Sequence, residues 1–306
     1  MVQWGWIGLC FLSYLFIRVY GGTECRNPLY DSLCSIPRYP DHYRLNDMQL
    51  YGLKQYAKLA AMAQCPFKPG ELQCAVYSDE FPQVTVLATA RAPHDDTYMY
   101  IARDDARCAF VLSYRGAVSP IAKKIKHGYH TVAYNPDFVS GARVLKKVYE
   151  AFMRLQANTL EYIQTVFEAH PDYKVEVIGH SLGAAFAILM AAELVTKTNI
   201  PSDQIVLVTF GEMRIGNQKF VQYLEQMNLT TKRYVYRYDF EVHLMPHALG
   251  FRARGHEVWT SGDKNGTYTC NEAEDKFCSR GVPLYKLNAM DHLNAVGLDI
   301  DIFQFF

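Results

Sequence analysis

The residues best suited to chemistry in this chain lie at positions 179–183, where the sequence reads Gly-His-Ser-Leu-Gly. A short apolar run at 173–178 predicts a strand before them, and a longer run at 182–195 predicts a buried helix after them. This strand–turn–helix context is typical of a nucleophilic serine, because Gly179 and Gly183 remove side chains that would collide across the turn. Ser181 would then lie at a helix N-terminus, where amide donors favour a developing negative charge. The alternative is that Ser181 only caps the helix.

A serine nucleophile needs a base and an acid, and in this arrangement both are expected later in the chain. The downstream histidines are His243, His247, His256 and His292. Asp239 follows a predicted strand and is the preferred acid, and the other candidates are Asp203, Glu241 and Asp263. His292 is the preferred base because it lies on a late loop, whereas His243 is close to Asp239 along the chain and harder to place beside Ser181. The sequence therefore predicts a triad of Ser181, His292 and Asp239.

The predicted elements indicate an α/β fold. Strands are predicted at 83–90, 97–102, 108–114, 173–178, 204–210 and 232–238. Helices are predicted at 47–64, 144–170, 182–195 and 217–227. The first three strands have short links and so predict an antiparallel meander, whereas the later alternation of strand and helix predicts a parallel sheet with helices on its faces. No internal repeat or linker is visible, so a single domain over 22–306 is predicted.

With these motifs in place, the chain resembles the fungal-type lipases, also called class 3 lipases, of the α/β-hydrolase superfamily. The resemblance runs from about residue 101 to residue 292 and is carried by Tyr-Arg-Gly at 114–116, Val-Ile-Gly-His-Ser-Leu-Gly at 177–183, Phe-Gly-Glu-Met-Arg-Ile-Gly-Asn at 210–217, Tyr-Asp-Phe at 238–240 and Asp-His-Leu at 291–293. It implies an α/β-hydrolase fold with a central, mostly parallel sheet, an antiparallel N-terminal part and helices on both faces. It also implies the same triad of Ser181, Asp239 and His292.

The same resemblance implies an oxyanion hole and a lid. The backbone N–H groups of Leu182 and Ala117 would be the two oxyanion donors. The family usually has Ser or Thr at the position of Ala117, and losing one donor from such a site costs about 10²–10³ in kcat. Residues 119–128 fall where the family carries a lid, and they predict a short helix with one apolar face and several lysines. An ordinary surface helix would have the same pattern. No metal or organic cofactor is expected.

Composition excludes several classes of protein. Half of the residues are hydrophobic, which excludes intrinsic disorder, and the 31 basic and 31 acidic residues leave no positive surplus for nucleic acid. Residues 4–19 are almost all apolar and are followed by Gly21 and Gly22, so 1–21 is predicted to be a signal peptide. The alternative is an uncleaved N-terminal anchor, and no later apolar run is long enough to span a membrane. A secreted protein is therefore expected.

The cysteines are interpreted in the same way. Removal of a signal peptide would leave seven, an odd number that cannot all pair within one chain. Their spacing favours Cys25–Cys34, Cys65–Cys74 and Cys270–Cys278, with Cys108 as the free, buried thiol. Glycosylation sequons at Asn228 and Asn265 also fit secretion.

These observations predict a secreted serine hydrolase of carboxylic esters that forms an acyl-enzyme, with triacylglycerol or another acylglycerol as the favoured substrate. The expected partner is a lipid or other ester, met at a lipid–water interface, and no nucleic acid. One alternative is a lipase-like binding protein with weak or no catalysis, which Ala117 favours. Another is a feruloyl- or acetyl-type esterase, which no sequence feature separates from a lipase.

Overall fold

The fold was analysed in a computed structural model that describes residues 27–36, 43–65, 77–125, 128–135, 139–156, 158–262 and 266–299. Its α-helices are α1 (Pro28–Cys34), α2 (Asp47–Met62), α3 (Pro120–Ile125), α4 (Lys146–Gln156), α5 (Thr159–Ala169), α6 (Leu182–Lys197) and α7 (Gln218–Gln226). Its strands are β1 (Val84–Ala92), β2 (Thr97–Asp104), β3 (Ala109–Tyr114), β4 (Thr131–Ala133), β5 (Arg143–Leu145), β6 (Lys174–His180), β7 (Ile205–Phe210), β8 (Gly216–Asn217), β9 (Thr230–Tyr236), β10 (Phe251–Arg252), β11 (Glu257–Thr260), β12 (Thr267–Thr269), β13 (Asn294–Ala295) and β14 (Leu298–Asp299). The predicted signal peptide, 1–21, lies outside the described residues.

The central sheet has eight strands in the order β1-β2-β3-β6-β7-β9-β11-β12. The first three strands pair antiparallel, as the meander predicted, and β3, β6, β7, β9 and β11 pair parallel. The last strand, β12, pairs antiparallel with β11. The mixed sheet with a mostly parallel centre confirms the predicted fold class.

Helices cover both faces of the sheet. Neighbouring residues of a strand point to opposite sides, and in the buried strands the residues on both sides are apolar. Phe110 and Leu112 of β3 enter one core, which also contains residues of α4, α5 and α6. Val111 of the same strand enters the other core, together with residues of α1 and α2. Strand β3 is therefore apolar at nearly every position, as expected of a strand that is covered on both faces.

The predicted long helix at 144–170 is wrong in its bounds. Residues 143–145 form β5, which pairs antiparallel with β4, so the branched residue Val144 lies in a small second sheet. The remaining stretch is divided into α4 and α5, and Asn158 occupies the position just before α5. Asparagine is a weak residue inside a helix, which is a signal for this break, although the Asn158 side chain makes no capping hydrogen bond to α5.

The cysteine predictions have mixed outcomes. The Cys270–Cys278 disulfide is present. Cys108 is disulfide-bonded, so the prediction that it is the free thiol is wrong. Cys108 lies at a positive φ of 50° in the turn before β3 rather than in the strand. Cys65 is also disulfide-bonded. Cys25 and Cys74, the predicted partners of Cys34 and Cys65, lie outside the described residues.

Candidate active site

Ser181 occupies the sharp turn between β6 and α6. Its backbone has φ 56° and ψ −123°, a conformation that a non-glycine residue rarely adopts. A Cβ atom on Gly179 would lie 2.2 Å from the carbonyl oxygen of Gly183, and one on Gly183 would lie 2.1 Å from the carbonyl oxygen of Tyr114. Both glycines are therefore required by close backbone approach, as the sequence predicted, and they leave Ser181 at the N-terminus of α6.

Asp239 lies in the turn that follows β9, three residues beyond the end of the strand. Its backbone N–H donates to the carbonyl of Tyr236, and its Oδ1 accepts from the backbone N–H of Glu241 at 2.8 Å. The carboxylate is buried, which by itself would raise its pKa. Attraction to His292, the hydrogen bond from His292 and the Glu241 N–H together outweigh burial and lower the pKa. Asp239 is thus held as a carboxylate at neutral pH.

His292 joins Ser181 to Asp239. It lies in a short 3₁₀ turn, Met290–Leu293, and is 5% exposed. Its Nδ1 is 3.0 Å from each carboxylate oxygen of Asp239, and its Nε2 is 2.8 Å from Oγ of Ser181. The carboxylate can only accept here, so Nδ1 carries the proton and neutral Nε2 can accept the Ser181 hydroxyl proton. The structure therefore brings together the three residues that the sequence selected.

Two further residues fix the imidazole and were missed by sequence reasoning. Nε2 of His180 donates to the carbonyl of His292 at 2.7 Å, and the two rings are in contact with centroids 4.7 Å apart and an interplanar angle of 33°. Gly211 has φ +55°, and a Cβ atom there would lie 2.9 Å from Nδ1 of His292 and 3.1 Å from Oδ2 of Asp239. The position of Gly211 directly after a buried strand, next to those that carry Ser181 and Asp239, is the signal that could have found it.

The predicted oxyanion donors border the same turn. Leu182 is the first residue of α6, and the N–H groups of a first helical turn have no acceptor within the helix. The segment that contains Ala117 runs alongside, since a Cβ atom on Gly116 would lie 3.3 Å from the carbonyl oxygen of His180. Ala117 itself is half-buried and packs against the core under α6. Its side chain is a methyl group, so at this position only the backbone can donate.

Asp96 holds the segment that leads to Ala117. The guanidinium of Arg115 donates to the Asp96 carboxylate at 3.0 Å and to its backbone carbonyl at 2.7 Å. Burial would raise the pKa of Asp96, but the hydroxyl of Ser119 and the charges of Arg115 and Arg91 lower it. An acid in a turn between two strands gives no local signal of this role.

The rejected candidates lie elsewhere. Asp203 is exposed in the turn before β7, at the end of the sheet opposite Ser181. Glu241 contributes its backbone N–H to Asp239, and Asp263 lies outside the described residues. The His243 carbonyl faces Arg214. Burial first, and then the charge of Arg214, lower the pKa of His243 to about 4.

The predicted lid is a short helix. The Ser119 hydroxyl accepts from the backbone N–H of Ala122, and α3 follows over Pro120–Ile125. Ala122 and Ile125 are buried against the core, whereas Lys123 and Lys124 are exposed. The amphipathic pattern is therefore present in the described part of this segment.

One cluster among the described residues has the spacing of a metal site: Glu257, Cys270 and Cys278. Its two cysteines form the disulfide, so the thiolates that would bind a metal are consumed.

A mostly parallel sheet carries a serine at a strained strand–helix turn, and the serine hydroxyl is hydrogen-bonded to a histidine that is bonded in turn to an aspartate. This arrangement defines an α/β-hydrolase. Residues 111–248 match the model of the class 3 lipase family. The chain is therefore similar to this family over the part that contains Ser181 and Asp239.

Individual relatives agree. A lipase from Rhizopus niveus is 29% identical over 250 residues, which cover 80% of this chain and 63% of the relative. The secreted mono- and diacylglycerol lipase 1 of Fusarium solani is 32% identical over 204 residues, covering 66% of this chain and 57% of that protein. The chain thus spans less than two thirds of these relatives. A solved triacylglycerol lipase with a serine protease triad at its catalytic centre superposes with a TM-score of 0.77 at 27% identity, covering 85% of this chain and 98% of its own.

Proposed function

We propose that this protein is a serine hydrolase that cleaves the carboxylic esters of acylglycerols. The observation that carries the proposal is the continuous hydrogen-bonded path from Asp239 through His292 to Ser181, all three of which are buried. Ser181 and Asp239 follow the carboxyl ends of β6 and β9, and His292 lies in the 3₁₀ turn before β13. The relatives support lipid esters as the substrate class, because those named above are lipases, one of them for mono- and diacylglycerols.

The geometry supports a double-displacement mechanism. Nε2 of His292 takes the proton from Ser181 as Oγ attacks the ester carbonyl carbon, and Asp239 stabilises the imidazolium that forms. The N–H groups of Leu182 and Ala117 stabilise the oxyanion. His292 then protonates the leaving alcohol, an acyl-enzyme remains on Ser181, and water activated by His292 releases the fatty acid.

Ala117 is the specific observation that favours a second candidate, a lipase-like binding protein with little turnover. Its methyl group cannot donate the hydrogen bond that Ser or Thr would give at this position. Against this candidate, the path from Asp239 to Ser181 is intact and buried. We therefore favour the hydrolase over the binding protein. We expect its kcat to be lower than that of an enzyme with Ser or Thr at position 117, but not zero.

The test is hydrolysis of soluble short-chain esters and of emulsified triacylglycerol by the wild type and by Ser181→Ala. Turnover of both substrates that disappears in the variant supports an acylglycerol lipase, whereas turnover of short esters alone points to a feruloyl- or acetyl-type esterase. Absence of Ser181-dependent turnover, together with no covalent labelling by a serine-directed phosphonate, would overturn the catalytic proposal in favour of the binding protein.

Secretion is part of the proposal. The Fusarium solani relative is named as secreted, and the disulfides fit an oxidising compartment. No helix among the described residues combines the length and apolar character needed to cross a bilayer. Asn228 is exposed in the turn after α7, where its sequon would be accessible, and Asn265 lies outside the described residues.

N-terminal sequencing of protein from the medium should find residues 1–21 removed. Retention on the cell with an intact N-terminus would favour the anchor.

A further inference from the structure

One loop beside the candidate active site exposes large apolar side chains. It comprises residues 276–290, Lys-Phe-Cys-Ser-Arg-Gly-Val-Pro-Leu-Tyr-Lys-Leu-Asn-Ala-Met, and is called here the anchor loop. Leu284 and Tyr285 are 83% and 85% exposed, and Phe277 and Met290 are 63% and 61% exposed. Single exposed apolar residues are ordinary, but several on one short loop mark a surface that meets something apolar.

The charge of the anchor loop is one-sided. It carries Lys276, Arg280 and Lys286 and no acidic residue, in a chain whose total charge is zero. The acids directly beside it in the chain accept from backbone N–H groups: buried Asp275 from those of Asn271 and Phe277, and Asp291 from that of Tyr238. Further upstream, Glu274 pairs with Arg214 and Glu272 is exposed. Basic groups among exposed aromatic and aliphatic side chains are complementary to an anionic lipid surface.

The anchor loop is fixed at both ends. Its start is bound by the Cys270–Cys278 disulfide. Near its end, the backbone N–H of Asn288 donates to the carbonyl of Tyr238 at 2.8 Å, and the carbonyl of Asn288 accepts from the backbone N–H of Phe240 at 3.3 Å. Asp239 lies between these two residues, and Phe240 is itself 41% exposed. A lipid surface bound by the anchor loop would therefore lie next to Asp239 and His292.

We propose that the anchor loop is a fixed docking surface for anionic lipid interfaces, which brings the candidate active site to lipid and selects anionic over neutral surfaces. It acts independently of any movement of α3. This proposal rests on the proposed function, because a lipid substrate is the reason for binding a lipid surface. Binding itself does not require turnover.

The test measures binding of the full-length Ser181→Ala chain to vesicles of phosphatidylcholine with and without phosphatidylglycerol. We expect tighter binding to the anionic vesicles and weakening by salt. Replacing Lys276, Arg280 and Lys286 together with Gln should lower affinity for them by about 100-fold. The matched control replaces Lys54, Lys146 and Lys219 with Gln, which removes the same charge from α2, α4 and α7 and should change binding little. Leu284→Ser with Tyr285→Ser should weaken binding to both vesicles.

Equal binding to neutral and anionic vesicles, or equal losses in the two triple variants, would overturn the proposal. Concentration-dependent dimers that disappear in the Leu284→Ser, Tyr285→Ser variant, without vesicle binding, would assign the loop to a second copy of the chain. Failure of the proposed function is a separate result. Wild-type protein that binds anionic vesicles but hydrolyses no soluble ester would support the docking surface and overturn the proposed hydrolase activity.

Discussion

The two sides of the candidate active site are built differently. Ser181, His292 and Asp239 are at most 5% exposed and each is positioned by a turn at the carboxyl end of a buried strand or by a neighbouring turn bonded to it. On the other side, Arg115, Ala117, Val118 and Ser119 are half-buried and lead into a single helix of six residues, α3. It is held chiefly through Asp96 and Arg115.

This difference separates proton transfer from oxyanion binding. The proton-transfer side carries every group that the proposed chemistry needs, in hydrogen-bonding geometry. The oxyanion side lacks the side-chain donor that Ser or Thr would provide at Ala117. We therefore expect changes on the first side to abolish turnover and a change on the second to increase it.

The largest expected effect is that of Asp239→Asn, which removes the charge that orients and stabilises the imidazolium. We expect kcat to fall by about 10⁴-fold with the fold retained. The reason is that the Asn amide can turn its NH2 group toward Nδ1 of His292, which favours the tautomer that cannot accept the Ser181 proton at Nε2. Ester hydrolysis and circular dichroism measure the two quantities. Asp203→Asn, at the opposite end of the sheet, is the control and should keep full activity. Equal activity in both variants would remove Asp239 from the proposed triad.

Gly211→Ala tests how closely the proton-transfer side is packed. The added methyl group would displace His292 or Asp239, and a displacement of about 1 Å can cost about 100-fold in rate. The positive φ adds about 1–2 kcal/mol of instability. Gly297→Ala also places a side chain at a positive φ, +77°, but its added methyl would meet none of the described residues within 4 Å. Urea unfolding should therefore show destabilisation in both variants, larger in Gly211→Ala, and kcat should fall in Gly211→Ala alone. Parallel rate losses would mean that strain, rather than contact with the triad, is responsible.

Ala117→Thr addresses the oxyanion side. The added hydroxyl can donate to the oxyanion, and since one donor is worth about 10²–10³ in kcat, we expect an increase of up to about 100-fold. Ala117→Val has nearly the same shape without the donor and should not increase the rate. The measurement is kcat on a soluble ester. An equal response to Thr and Val would show that volume, not hydrogen bonding, limits this side.

The smallest expected effect concerns His243, the rejected base. Its folded pKa of about 4 lies below the ordinary 6.5, so the unfolded chain binds more protons between these values and stability falls as pH drops through this range. His243→Gln should lessen the loss of unfolding free energy between pH 7 and pH 5 by about 2 kcal/mol at most, measured by urea unfolding. The acid limb of kcat/KM should stay in place. A shift of the acid limb of kcat/KM in this variant would show that His243 takes part in the chemistry.

Sequence reasoning reached the residues that local patterns mark. The glycines at 179 and 183 with their flanking apolar runs located Ser181, and chain order selected Asp239 and His292, which the structure brings into contact. It did not reach His180, Gly211 or Asp96, since their contacts cross large separations in the chain. It placed Cys108 in a buried strand and so made it a free thiol, whereas it lies in the turn before the strand.

The sequence by itself determined the class of fold, the strand–serine–helix turn and the identity of the candidate nucleophile, because these depend on hydrophobic periodicity and on close backbone contacts within a few residues. Only the tertiary structure decided that Asp239 contacts His292 and that His292 contacts Ser181, that Gly211 leaves space for them, and that the anchor loop lies beside them. The carboxyl ends of parallel strands meet at one edge of the sheet, and residues more than fifty positions apart become neighbours there through packing of the whole core.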